Sequence, residues 1–404
     1  NVGREKAVQE MGLKMKIVIA MDSLKGCLTS MEAGKAVAEG IRRADPEADI
    51  KVMPLADGGE GTADSLIMGM GGKERKVRAT GPLGAMVDCG YGMIGENRTA
   101  VMEMACVAGL PLVPPEKRNP MDTTTYGVGE IIKDAIGKGC RNFIIGIGGS
   151  ATNDGGIGML QALGFGFLDK DGRQTAFGAK GLADLACITD TDAMKELKEC
   201  RFRIACDVSN PLCGPDGCSA VYGPQKGADA SMAARMDRWM EKYALLAKEK
   251  YAEADMWKEG TGAAGGLGFA FLTFLNGTLE PGVNIILDET GIERHLKEAD
   301  LVITGEGRMD KQTAMGKAPL GVARLAKKYG KTVIALAGSA EEGCGQEEID
   351  AYFSILQQPA ALEEAMEPQT AEKNLSVTAE QAYRLWKAGT HYFSKPCTQS
   401  AFKK

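Results

Sequence analysis

Short apolar runs alternating with amphipathic helical patterns mark both ends of the chain. Lys16–Ala20 (KIVIA) reads as a buried strand. Thr29 or Ser30 then caps a helix with Glu32 in its first turn, running to about Arg43. Ile50–Pro54 predicts a second strand, which leads into Ala56–Thr62 (ADGGEGT), a glycine-rich loop opening another helix. From Ala299 the same rhythm returns. Strands are predicted over Leu301–Thr304, Thr332–Ala337 and Tyr352–Leu356, with a helix ending at Tyr329 and a closing helix over Thr370–Lys387.

The middle has a different texture. Lys76–Ala79, Val87–Met93 and Thr99–Met104 are short strand-like runs broken by Gly-Pro and Pro-Pro punctuation. A helix near Gly127–Lys138, strands over Asn142–Ile147 and Arg201–Val208, and a long amphipathic helix from Ser231 to about Tyr251 follow. Strand–helix alternation at the two ends gives an α/β protein with a parallel sheet. Its five strands match the number in a flavodoxin-like doubly wound sheet. The first domain is therefore expected to be discontinuous, residues 15–72 plus 290–395, with a mixed α/β domain over 73–289 inserted. Residues 1–14 read as an N-terminal extension ahead of Met15, and 396–404 as a C-terminal tail.

The most concentrated chemistry lies in Ile144–Gly158 (IIGIGGSATNDGGIG), where an apolar strand enters and an apolar helical pattern leaves. Glycines let the backbone approach a ligand, and the first turn of a helix offers unpaired N–H groups and a positive dipole end. Such a loop suits phosphate. In an open α/β sheet, ligands bind beyond the carboxyl ends of the strands. Four polar segments are expected there: Asp22–Gly26, Asp57–Thr62, Gly305–Asp310 and Gly338-Ser339. They bring Lys25 and Arg308 together with the carboxylates Asp22, Asp57, Glu60, Glu306 and Asp310. Carboxylates with Lys or Arg and phosphate-cradling loops fit phosphoryl transfer, with Mg²⁺ on carboxylates and one Asp taking the hydroxyl proton. No G-x-x-x-x-G-K-[ST] sequence is present, which removes the P-loop class. A dehydrogenase is the rival, because Gly146-x-Gly148-x-x-Ala151 matches a dinucleotide fingerprint and Asp169 lies about twenty residues on. Against it, Asp169-Lys170-Asp171-Gly172 reads as a hairpin turn.

Composition narrows the classes further. A net charge of −6 gives no electrostatic case for nucleic acid or an anionic membrane. With only two histidines, His295 and His391, a His-rich metal site is excluded and a Ser-His-Asp triad has little material. Eleven cysteines at irregular spacing read as reduced thiols, and no secretory signal or membrane-length apolar run is evident, so a cytoplasmic location is expected.

Taken together, the chain resembles the bacterial glycerate kinase family of the glycerate 2-kinase type, over roughly Lys16 to Ala388. The blocks carrying the resemblance are Asp22-Ser23-x-Lys25-Gly26, Ala56–Thr62, Thr123-Thr124-Thr125-Tyr126-Gly127-x-Gly129-Glu130, Gly146–Gly156, Asp207-x-x-Asn210-Pro211-Leu212, Gly223–Ala228 and Thr304–Thr313. Met21, Leu24 and Cys27 replace the family's usual Pro, Phe and Ser in the first block. The resemblance implies a flavodoxin-like domain with an inserted second domain, and ATP- and Mg²⁺-dependent phosphorylation of D-glycerate, at the 2-hydroxyl, in an interdomain cleft. Arg308 or Lys25 would hold the glycerate carboxylate, and Asp22, Asp57 or Asp310 would take the proton. Ser23, Gly58, Gly59, Glu60 and Glu306 would contact the substrate. Gly148, Gly149, Ser150, Thr152, Asn153, Gln225 and Lys226 would cradle the ATP phosphates, and Asp154 and Asp207 would hold Mg²⁺. A monomer or homodimer is expected.

Overall fold

The computed structural model describes residues 14–56, 61–95, 98–310, 318–345 and 347–393. The strands are β1 (Lys16–Met21), β2 (Asp49–Val52), β3 (Lys73–Thr80), β4 (Met86–Ile94), β5 (Thr99–Glu103), β6 (Asn142–Gly146), β7 (Gly166–Leu168), β8 (Cys187–Thr189), β9 (Arg201–Ala205), β10 (Thr278–Glu280), β11 (Leu301–Met309), β12 (Thr332–Ala340) and β13 (Ala351–Ser354). The chain divides into two compact units. One joins Asn1–Ala56 to Leu287–Lys404, and the other is Asp57–Ile286.

The first unit carries a sheet of order β13-β12-β11-β1-β2, in which every adjacent pair is parallel. Counted within the unit this is 2-1-3-4-5, the flavodoxin-like doubly wound order. The apolar run of β1 explains its central place, since Ile17 through Met21 are all buried. Helix Ser30–Ala44 opens on a capping box formed by Thr29 and Glu32, which satisfies two of its orphan donors. Gly40 lets this helix lie against the closing helix Pro368–Phe393, because a Cβ there would sit 2.0 Å from the Ser376 carbonyl oxygen.

The second unit is built on a mixed sheet of order β10-β9-β6-β5-β4-β3. Its β3–β4–β5 part is antiparallel and its β5–β6–β9–β10 part parallel. One large core covers the sheet face that carries Met102, Phe143, Ile145 and Ile204, with Tyr243, Phe269, Phe167 and Phe274 in edge and stacked contact; Val101 and Ile144 on the opposite face are buried as well.

Three expectations change. The segment Gly61–Gly69 belongs with the second unit, not the first, because helix Thr62–Gly69 packs Ile67 onto Gly92 of β4, where a Cβ would come within 2.1 Å of Ile67 Cγ1. The strands β11 and β12 do not stop at Thr304 and Ala337. They continue to Met309 and Ala340, with Arg308 opposite Ser339. Glycines signalled a loop in the sequence, but Gly305 serves close packing, since a Cβ there would meet the Leu336 carbonyl oxygen at 1.8 Å. Finally, β9 ends at Ala205, which leaves Asp207 beyond the strand.

Candidate active site

In the first unit, β1 delivers Asp22 to the carboxyl edge of the sheet. The Asp22 N–H donates to the Gly305 carbonyl (2.8 Å), and Asp22 Oδ1 accepts from the Ser23 N–H at 2.7 Å. The next residues form a tight loop closed by reciprocal bonds between Leu24 and Leu28, at 2.9 and 3.0 Å, with Gly26 at φ +75°. Lys25 is exposed at its tip. On the neighbouring strand β11, Glu306 is buried, so two enclosed carboxylates sit side by side where β1 stops and β11 runs on: Asp22 just past Met21, and Glu306 just past Met21's partner Gly305. The extension of β11 runs beside that loop at Gly307, where an added Cβ would make ordinary contact with Leu24 Cα at 3.6 Å. Arg308 is exposed and donates to Glu341 at 3.1 Å, with Asp310 at 3.5 Å. Asp22, Ser23, Lys25, Glu306, Arg308 and Asp310 therefore share one edge. Asp57, Gly58, Gly59 and Glu60 lie outside the described residues.

In the second unit, β6 feeds the glycine-rich loop, as its pattern predicts, but the interior of that loop differs from the expected phosphate cradle. Asp154 is fully buried. Its Oδ2 accepts from the Thr125 N–H (2.8 Å), the Thr125 hydroxyl (2.9 Å) and the Gly158 N–H (3.4 Å), and its Oδ1 from the Gly156 N–H (3.0 Å). The Thr125 hydroxyl in turn accepts from the Met159 N–H at 3.0 Å. The opening N–H groups of helix Ile157–Ala162 are thus taken up inside the protein and do not face a ligand. Burial pushes the Asp154 carboxyl up, while its hydrogen bonds from Thr125, Gly156 and Gly158 pull it down. Four donors converging on two oxygens favour the ionised form.

Lys226 is the matching cation. It is buried and donates to Ser150 Oγ at 2.8 Å and to the Thr152 carbonyl at 2.6 Å. Burial lowers its pKa to about 8, with Cys218 and Asp154 pulling the other way. Asn153 donates to Ser219 Oγ at 2.9 Å, and Thr123 donates to the Ala151 carbonyl at 2.8 Å. Thr152, Asn153 and Lys226 were expected to face phosphate; they are enclosed and brace the loop. Gly148 and Gly149 are its exposed part, and Gln225 is exposed beside Lys226.

The metal expectation changes with this. Asp154 is fully buried and its oxygens are engaged by four donors of Thr125 and the loop, which disfavours it as a metal ligand. Asp207 is exposed past the end of β9 and accepts from the Gly282 N–H at 3.3 Å. Among the described residues no cluster of three His, Cys, Asp or Glu side chains could enclose a metal ion. The dinucleotide alternative also loses its acidic residue. Asp169 sits in a hairpin turn, accepting from the Asp171 and Arg173 N–H groups, after a strand, β7, that pairs with β8 in a separate sheet.

Residues 17–387 match the model of the glycerate kinase family. A glycerate kinase of Bacillus subtilis is 47% identical over 356 residues, covering 87% of this chain and 93% of that protein. A glycerate 2-kinase of Escherichia coli is 46% identical over 354 residues, again 87% and 93%. A crystal structure described as glycerate kinase 2 from Salmonella typhimurium superposes with a TM-score of 0.87 at 44% identity, covering 94% of this chain and all of that one.

Proposed function

Because the chain belongs to the glycerate kinase family, and is thereby a phosphotransferase with an alcohol group as acceptor, we propose that it transfers the γ-phosphoryl group of ATP to the 2-hydroxyl of D-glycerate. The observation that carries the reading is the edge of the first unit, where the buried carboxylates Asp22 and Glu306 lie at neighbouring β1 and β11 near Lys25 and Arg308. Lys25 and Arg308 hold the glycerate carboxylate, Arg308 through its planar fork. Asp22, kept in one orientation by the Ser23 N–H, accepts the proton as the hydroxyl attacks. Ser23 and Glu306 contact the acceptor, and Asp310 orients Arg308. Gly148 and Gly149 bring backbone close to the phosphates without side-chain obstruction.

Mg²⁺ that arrives with a nucleotide keeps much of its shell as phosphate and water, so it needs only one or two protein carboxylates. Asp207, exposed at a strand end, fits that requirement and Asp154 does not. When bound, the ion neutralises charge on the transferring phosphoryl group. Among the described residues no helix is long and apolar enough to cross a membrane. The described cysteines are all free, which supports a reducing, cytoplasmic setting.

The test is ADP formation from ATP with D-glycerate, L-glycerate and other small hydroxy acids, with ³¹P NMR of the product. D-glycerate should give a phosphate ester on C2. A 3-phosphate product would overturn the regiochemistry. Hydride transfer from NAD(P)H without ADP would overturn the whole assignment.

A further inference from the structure

Glu103 carries no motif signal, since it ends the plain strand sequence TAVME. The fold gives it an unusual position. It is half-buried at the carboxyl end of β5, in register with Gly146 of β6, the residue at which the glycine-rich loop begins. Its Oε1 accepts from the Ala63 N–H at 3.1 Å, and the N–H groups of Gly61 and Thr62 also reach the carboxylate. These three donors open helix Thr62–Gly69, so Glu103 caps from a distance of forty residues the helix that follows the Ala56–Thr62 block. A carboxylate there also meets the positive end of the helix dipole. The helix has no side-chain cap of its own, because its N-cap residue is Gly61 at φ +88°. A second observation lies beside it. The Thr62 hydroxyl is buried and has no hydrogen-bond partner among the described residues.

The residues after Glu103 hold the other loop. The Met104 N–H donates to the Gly146 carbonyl at 2.8 Å, the Leu110 N–H to the Gly149 carbonyl at 2.9 Å, and the Ala108 carbonyl accepts from the Ala151 N–H at 2.9 Å. One eight-residue stretch, Glu103–Leu110, thus grips both glycine-rich motifs at the carboxyl edge of the second sheet. Its backbone grips one, and its single carboxylate grips the other.

We propose that Glu103 is a positioning residue for phosphoryl transfer, setting the Gly61–Ala63 backbone relative to the Gly146–Ala151 loop through its negative charge. The proposal rests on the kinase reading above. The described titratable groups facing Glu103 are Asp64 on the helix it caps and the Cys106 thiol on the helix that follows β5. Burial raises the Glu103 carboxyl above its ordinary value, against the pull of the three N–H groups. A carboxylate raised in this way favours folding most at low pH, and that contribution is lost as pH rises through the folded value. At neutral pH its charge is therefore a burden on stability that a purely structural residue would not carry.

Glu103→Gln separates the two roles. We expect a kcat lower by on the order of 10-fold to 100-fold, as for a small misplacement near the reacting groups, with Tm at pH 7 unchanged or raised. The deficit should shrink toward acid pH, where Glu103 itself takes up a proton. Glu103→Asp, which keeps the charge on a shorter arm, should recover part of kcat. Hydrogen exchange of the full chain should be faster in a peptide covering Gly61–Gly69 and unchanged in one covering Gly156–Gly164. Full activity in Glu103→Gln, or an activity loss matched by an equal loss of folded protein, would overturn the proposal. Should wild type show no glycerate kinase activity, the function assignment fails instead, and the exchange experiment still decides whether Glu103 sets the loop.

Discussion

Replacing Lys226 by Met isolates the cation that braces the glycine-rich loop. Lys226 is 2% exposed, and its ammonium makes its bonds to Ser150 and Thr152 inside the protein. Burial takes its pKa from 10.5 down to about 8. Each pKa unit is worth about 1.4 kcal/mol, so holding this charge inside the fold at pH 7 costs about 3 kcal/mol. Between pH 8 and 10.5 the folded chain has released the proton while the unfolded chain still holds it, so stability rises with pH through that window. Below it both states hold the proton and the contribution is flat. Lys226→Met lacks this proton. Met relieves the burial cost, but it leaves the Thr152 carbonyl unpaired and Asp154 without its cation, losses of a few kcal/mol that offset the relief at pH 7. The two proteins should thus lie within about 2 kcal/mol of each other at neutral pH. By pH 10.5 wild type should have gained about 3 kcal/mol on the variant. Urea denaturation across that range measures this, with Trp386→Phe in both chains so that Trp239 and Trp257 report on the second unit. Groups common to both chains cancel in the difference. The exception is the Cys218 thiol, already pushed to about 11 by burial, which rises further without the cation. A difference that stayed constant from pH 7 to 10.5 within about 0.5 kcal/mol would show that Lys226 is not a buried cation.

Two further substitutions test the rest of the site. Asp154→Asn turns one acceptor oxygen into a donor against the Gly156 N–H, or against the three donors at Oδ2, and strips Lys226 of its counter-charge. It should cost about 3–5 kcal/mol in denaturation, while the Mg²⁺ concentration giving half-maximal activity stays unchanged in the folded fraction; a shifted Mg²⁺ midpoint would restore Asp154 as a ligand. Lys25→Ala removes an exposed side chain from the edge of the first unit, so its Tm should match wild type while kcat/KM for glycerate falls on the order of 100-fold. Activity close to wild type would remove Lys25 from the mechanism.

The fold was legible wherever periodicity and strand length agreed. KIVIA, the capped helix after it and the three strands after Ala299 all form, and they assemble in the doubly wound order expected of five alternating strands. The early ends expected for β11 and β12 have one cause, because glycine after a strand reads as loop. In β11 and β12, Gly305 and Gly338 instead let two backbones approach closely. A local signal for the role of Asp154 was present, because an Asp just ahead of an apolar helix reads as a cap. It was overshadowed by the glycines around it. No local signal could have found Glu103 or the hydroxyl of Thr125, since their partners lie forty and twenty-nine residues away and only tertiary packing brings them together.

Asp154 and Glu103 also bear on how phosphate could be held. Both carboxylates occupy the start of a helix that follows a glycine-rich motif, and both use donors that would otherwise be offered to an anion. A glycine-rich strand-to-helix turn is an open cradle only if those first N–H groups are uncommitted, and in the second unit they are taken. With Lys226 committed to the Ser150 and Thr152 oxygens, the loop presents backbone at Gly148 and Gly149 but little positive charge. On the proposed kinase reading, a nucleotide meeting it would bring its own neutralising cation. Steep dependence of the reaction on Mg²⁺, with Asp207→Asn raising the Mg²⁺ requirement and Asp154→Asn leaving it alone, is the pattern that follows from this distribution of charge.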